Sequence, residues 1–290
     1  MKPTTLISDM ISYGEAANRI TDAGAVRAYE NVWNFIIRSF LSGVMISFSF
    51  LFGVVAQLES GQTIMFALCF AIGLHYIIFL NDYLFTGDFV PICLAGLNRR
   101  APAGRLIYAA VMTYVFNALG CIFGAFFTGW ATGVSRNPYD GFVGQKVAAV
   151  CFKKTHMKYH EMFVRAMACN ALVSIATFMA NMSQTFCGKC LAVFMAIGNF
   201  STMSLEHCMA NWFCLSNGIM QVNGPKNMTW KNTFINLILV SLGNMIGSFV
   251  IVSCPAYMQQ YFEKKKQQQL QAEQHEEKES EKEDSPNVSL

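Results

Sequence analysis

Uncharged apolar runs of membrane-spanning length dominate this sequence and leave few folds open to it. Windows of about 20 residues without Asp, Glu, Lys or Arg cover 39–58, 63–81, 106–135, 166–188 and 232–262. A further run, 190–215, carries only Glu206 and His207 among otherwise uncharged residues. Lipid satisfies no backbone polar group, so runs of this length are read as helices. The expectation is an all-α integral membrane protein with six transmembrane helices. Composition agrees: 53% of the residues are hydrophobic and 13% charged, against about a quarter charged in a soluble domain. A soluble globular enzyme is excluded on this ground, and a net charge of +3 gives no reason to expect a nucleic-acid partner.

Two of the spans are broken. The second passes through NDYLFTGD (81–88) and resumes as a short apolar stub; the fifth passes through AIGNFSTMSLEH (196–207). NALGCIFGAF (117–126) in the third span and GNMIGSF (243–249) in the sixth share Asn-x-x-Gly, at Asn117/Gly120 and Asn244/Gly247. Three spans followed by three, with the break in the second of each set, is the pattern of a 3+3 inverted repeat. Broken helices are tolerated at membrane depth where they line a cavity, which points to a permeation path. Gly120, Gly124 and Gly247 suit close helix packing.

The chain divides into an N-terminal segment (1–38), a transmembrane transport domain (39–262) and a tail (263–290) expected to be disordered, because it is low-complexity and nearly without large apolar residues. The first span follows too long a leader to be a signal peptide. Basic residues in the leader and in NRRAPAGR (98–105) place both termini in the cytoplasm under the positive-inside rule, with the plasma membrane as the expected location. The Cys residues within the spans are read as small hydrophobes. CGKC (187–190) lacks a second CxxC or paired His, so neither a metal nor a cofactor is expected. His75 is read as an interhelical hydrogen-bonding residue.

Glu206 and His207 pose the functional question, because ionisable residues inside a span are costly and mark solute or proton paths. Consecutive helical residues point about 100° apart, so His207 is assigned to the path. Glu206 is assigned to its flank, bracing the loop or the Asn residues of the repeat.

The stretch SLEHCMANWF (204–213) resembles the signature of the formate/nitrite transporter family. LFTG (84–87), NALG (117–120), MACNALVSIATFMA (167–180) and NLILVSLGNMIGS (236–248) are similar to that family's other motifs, in order. The resemblance implies a homopentamer with an aquaporin-like fold and a pore in each protomer. It also implies passage of formate, acetate, lactate, nitrite or hydrosulfide, as anions or neutral acids with protons. Carried over by motif, Phe70 and Phe200 form an outer aromatic constriction, and Leu74 and Leu84 an inner apolar one. Thr86 faces the central His207, Asn170 and Val173 line the middle, and Lys154 attracts anions in the outer vestibule. Asn211, Asn117 and Asn244 give structural support. The chain departs from the family pattern at Ser204, where Gly is usual, and at Asp88, where an amide or hydroxyl is usual. At Tyr83 the family has an acid. An added carboxylate beside an anion path bears on selectivity.

Two other readings are open. An aquaporin-like channel for neutral solutes predicts paired Asn-Pro-Ala loops, and the one Asn-Pro is Asn137-Pro138. A haem-binding redox protein needs His pairs on facing spans, whereas His156 and His160 fall in a loop.

Overall fold

The protein is described by a computed structural model over residues 9–137, 141–221 and 228–283, with side chains to residue 275. Lys2, Pro138 and the end of the tail lie outside the described residues. Every regular element among those described is a helix. In chain order they are α1 (Tyr13–Ala28), α2 (Val32–Ser60), α3 (Thr63–Phe79), α4 (Phe85–Leu97), α5 (Ala103–Gly124) and α6 (Phe142–Thr155). Then follow α7 (Tyr159–Met182), α8 (Phe186–Thr202), α9 (Cys208–Met220), α10 (Trp230–Ser248) and α11 (Cys254–Glu283). π-helical turns extend α5 through Ala125–Ala131 and join α10 to α11 through Phe249–Ser253.

Four helical stretches are long and apolar enough to cross a membrane: Val32–Ser60, Ala103–Ala131, Tyr159–Met182 and Trp230–His275. The two broken spans supply the shorter pairs, α3 with α4 and α8 with α9. At 29 residues, α2 is about 44 Å long and begins at Val32, earlier than the charge-free window. Asn31 caps it by accepting from the Trp33 N–H, and left-handed Gly61 ends it. Likewise α7 begins at Tyr159 and carries Arg165 within it. Charged residues at helix ends are excluded from an apolar window although the helix includes them.

Both breaks share one construction. After α3 the chain turns left-handed at Asn81 (φ 55°), and after α8 at Ser204 (φ 54°). It then extends, with φ/ψ of −115°/123° at Leu84 and −115°/121° at His207, before α4 and α9 begin. One buried asparagine holds each loop. Asn117 accepts from the Phe85 N–H at 2.8 Å and donates to the carbonyls of Tyr83 and Ser39. Asn244 accepts from the Cys208 N–H at 2.9 Å and donates to the carbonyls of Glu206 and Ala166. An extended backbone buried in a bundle needs such partners. The α3–α4 and α8–α9 pairs lie 123 residues apart (186 − 63 and 208 − 85), while α2 and α7, like Asn117 and Asn244, lie 127 apart (159 − 32 and 244 − 117). The glycines follow: a Cβ on Gly120 would strike the Phe40 carbonyl, and one on Gly247 the Met167 carbonyl.

Two features differ from expectation. The N-terminal segment and the connection between the third and fourth spans each contribute a helix outside the six expected spans, α1 and α6. α1 is capped by Ser12 and buries Ala16, Ala17 and Ile20 in a cluster with Val90, Leu94, Phe178 and Val252. The tail, expected to be disordered, continues α11 to Glu283. Its Gln, Glu, Lys, Ala and Leu are good helix formers; poverty in apolar residues denies a segment a core, not a helix.

Candidate functional site

Two cavities approach each other through the bundle. One, of about 380 Å³, is lined by α6 residues Lys146, Lys153 and Lys154, by Phe66, Phe70 and Phe200, and by Glu206 and His207. The other, of about 350 Å³, is lined by Arg27 of α1, Leu74, Asp82, Leu84, Asp88 and Lys189. Between them is a chamber of about 10 Å³ bounded by Ile46, Phe70, Leu74, Leu84, Val173, Ile197, Phe200 and His207. The chamber shares Phe70, Phe200 and His207 with the lysine cavity and Leu74 and Leu84 with the arginine cavity. It has room for about one water, so the path is closed here.

Phe70 and Phe200 meet edge to face, with centroids 6.1 Å apart, and Phe200 stacks on His207 at 6.0 Å. His207 stands at the start of α9, where its Nδ1 accepts from the Ala210 N–H at 3.2 Å. That bond assigns the proton of a neutral imidazole to Nε2. Nε2 lies 2.9 Å from Thr86 Oγ1, so the ring donates and the threonine accepts. The Thr86 hydroxyl hydrogen remains free to serve another acceptor. Both residues are buried, at 3% and 0% exposure, and each stands in the first turn of a half-helix or at its cap. The breaks therefore bring together residues 121 apart in sequence. A charged imidazolium would need Nδ1 to give up its cap, so the arrangement favours an uncharged hydrogen-bond donor.

Glu206 is not part of the chamber and lines the lysine cavity instead. Both its carboxylate oxygens accept from Lys154 Nζ, at 2.9 and 3.0 Å, and Oε2 also accepts from Asn211 at 2.7 Å. Asn211 donates further to Asn236, which donates to the Lys154 carbonyl. Lys154 lines the lysine cavity, and its charge is matched by Glu206. Asn170 lines none of these cavities; its Nδ2 donates to the Asn244 carbonyl and its Oδ1 is buried without a partner. Val173 lines the chamber. His75 bridges helices, with Nε2 3.1 Å from the Cys190 carbonyl.

The departures acquire partners. Asp88 Oδ1 pairs with Arg27 at 2.7 Å, and the Arg27 guanidinium lies 4.9 Å from the centroid of the Tyr83 ring. Tyr83 donates to Glu30 at 2.5 Å and accepts from Arg38 at 2.9 Å. That bond from Tyr83 is the main cause holding the Glu30 carboxyl below its usual range. Ser204 stands in the left-handed region that glycine adopts most readily, which explains why glycine suits that place. Sequence reasoning passed over Ile46, Ile197, Asn236 and the pairing of Arg27 with Asp88. The isoleucines carry no signal of their own among so many apolar residues.

Two cavities meeting at a constriction about one water wide inside a membrane bundle define a channel or transporter of small solutes. Residues 14–258 match the family profile described as "Formate/nitrite transporter". The chain is 30% identical over 242 residues to a probable formate transporter of Methanothermobacter thermautotrophicus, covering 76% of this chain and 86% of that one. It is 27% identical over 252 residues to the formate channel FocA of Haemophilus influenzae, covering 78% and 87%. It is 24% identical over 264 residues to the formate-nitrite transporter of Plasmodium falciparum, covering 84% and 83%. Among solved structures it resembles an FNT family ion channel, with a TM-score of 0.78 and 23% identity over 84% of this chain and 98% of that one. It also resembles a pentameric formate channel with formate bound, with a TM-score of 0.67 and 22% identity over 78% and 96%. The chain belongs to the formate/nitrite transporter family, a family of transporters and channels rather than enzymes.

Proposed function

We propose that the protein carries small monovalent weak-acid anions of the formate, acetate, lactate, nitrite or hydrosulfide class across the membrane together with a proton. His207 is the central station, and each protomer of a homopentamer has its own pore. The observation that carries this reading is the sequence of lysine cavity, Phe70/Phe200, His207–Thr86 chamber, Leu74/Leu84 and arginine cavity. A bare anion in so apolar a constriction meets a large desolvation cost. The same desolvation raises the anion's proton affinity. The anion takes a proton from water in one cavity, crosses as the neutral acid, and releases the proton in the other. In the chamber the Thr86 O–H, free because its oxygen accepts from His207 Nε2–H, donates to the solute, and the His207 N–H donates to it when the bond to Thr86 opens, so that the pair replaces part of its lost hydration.

The pentamer and formate come from what a structural neighbour is described as being. The α1 side is assigned to the cytoplasm of a plasma membrane, on the basic loops of the sequence. Three crossings in each half put the second half upside down relative to the first, the inverted aquaporin-like arrangement. The test is flux of formate, acetate, lactate and nitrite into proteoliposomes at acidic and neutral pH, with glycerol as a neutral control. At least one acid should enter faster than in protein-free vesicles, and faster still at acidic pH. Glycerol entry with no acid entry would overturn the reading.

A further inference from the structure

We propose that Lys146 and Lys153, rather than Lys154, form the anion-collecting site of the lysine cavity, taking small monovalent anions from solution ahead of the constriction. The inference deepens the transport reading and rests on it for the identity of the anion.

The wall of this cavity contributed by α6 carries Lys146, Ala149, Val150, Lys153 and Lys154, a spacing that puts 146, 150 and 153 on one helical face. Lys154 is committed to both oxygens of Glu206. Seen from the cavity, that pair is a dipole with no net charge. Lys146 is half-buried and Lys153 exposed, and neither makes an ion pair within 4 Å among the described residues. Among the described residues, Glu206 is the one carboxylate lining the cavity. Glu59 and Glu161 stand outside the lining, and Glu161 faces Lys158 at 4.0 Å. Among the described residues, the lining therefore carries three ammonium groups against one carboxylate. The arginine cavity is balanced, with Arg27 and Lys189 against Asp82 and Asp88.

Apolar walls sharpen the field of such an excess. Phe50, Val54, Phe66 and Phe70 form part of the same lining, and a cleft of one charge sign between low-dielectric walls concentrates its counter-ions. The two ammonium groups are hydrated and flexible, so they gather anions without holding them, as a transit site requires.

The test reads the field directly. In a Cys187→Ser background, Ala149→Cys places a thiol on the same wall. In detergent solution its modification by an anionic methanethiosulfonate is compared with that by a cationic one. Adding Lys146→Gln and Lys153→Gln should lower the anionic-to-cationic rate ratio about tenfold at low ionic strength, and far less in about 1 M salt. In proteoliposomes the same pair of substitutions should raise the half-saturating formate concentration about threefold, with little change in maximal flux. A rate ratio unmoved by the substitutions, in a protein that still carries formate, overturns the site and leaves the transport reading standing. A ratio that falls in a protein carrying no weak acid overturns the transport reading and supports the site.

Discussion

At the lysine cavity, Lys154 meets a carboxylate at Glu206 and that carboxylate meets an amide at Asn211. At the arginine cavity, Arg27 pairs with the carboxylate of Asp88 and lies over the ring of Tyr83. The positions correspond: Arg27 precedes Lys154 by 127 residues (154 − 27), and Tyr83 and Asp88 precede Glu206 and Asn211 by 123 (206 − 83 and 211 − 88). Each half of the chain thus sets a cation against a carboxylate beside its broken helix. The carboxylate has moved from the loop in one half to the first turn of the half-helix in the other. There the positive end of the α4 helix dipole favours a negative charge. Asp88 is therefore an ion-pair partner displaced along the chain, and its charge is matched.

The two arrangements differ in how completely they close. The lysine side forms a ring through Asn211, Asn236 and the Lys154 carbonyl, in which both charged groups are matched and the buried atom without a partner is the neutral Asn211 Oδ1. On the arginine side, Asp88 Oδ2 and Arg27 Nε are buried without hydrogen-bond partners. The contrast predicts unequal responses to the same insult. Glu206→Ala strands a buried ammonium and should cost about 3–5 kcal/mol, read as a large fall in the thermal unfolding midpoint of the purified protein. Asp88→Ala leaves the guanidinium stacked on Tyr83 and beside a cavity, and should cost about 1–2 kcal/mol. Equal losses would break the comparison. Tyr83→Glu with Asp88→Asn rebuilds the other half's order of carboxylate and amide. The double variant should be more stable than the sum of the single effects by about 1 kcal/mol, measured as a double-mutant cycle. The smallest effect belongs to Ser204→Gly, which relaxes a left-handed serine and should stabilise by about 0.5–1 kcal/mol.

The spans, the two breaks and the central constellation are legible because each carries a cost that the sequence must visibly meet. A carboxylate and an imidazole at Glu206 and His207 stand out in an apolar run, and Asn117 and Asn244 stand out because buried loops need polar clamps. Ile46 and Ile197 are silent for the opposite reason, since one isoleucine among apolar neighbours differs from none of them. The repeat would have found both, because Ile46 lies 127 residues before Val173 (173 − 46) and Ile197 lies 123 after Leu74 (197 − 74). It would also have matched Arg27 to Lys154. The charge state of Lys154 was not legible, because the pairing depends on how α6 packs beside α9. Nor was the continuation of α11 to Glu283, where composition speaks to burial and not to backbone conformation.

The central claim is that a weak acid crosses at the His207–Thr86 pair, between the aromatic and the aliphatic constriction. The direct measurement is formate flux in proteoliposomes at acidic and neutral pH, for the unaltered protein and for His207→Phe, with the oligomer checked by size. The account predicts that the substitution, which fills a chamber of about 10 Å³ and leaves Thr86 without its partner, abolishes the pH-dependent flux while the oligomer persists. Unchanged flux with an unchanged pH profile would contradict it.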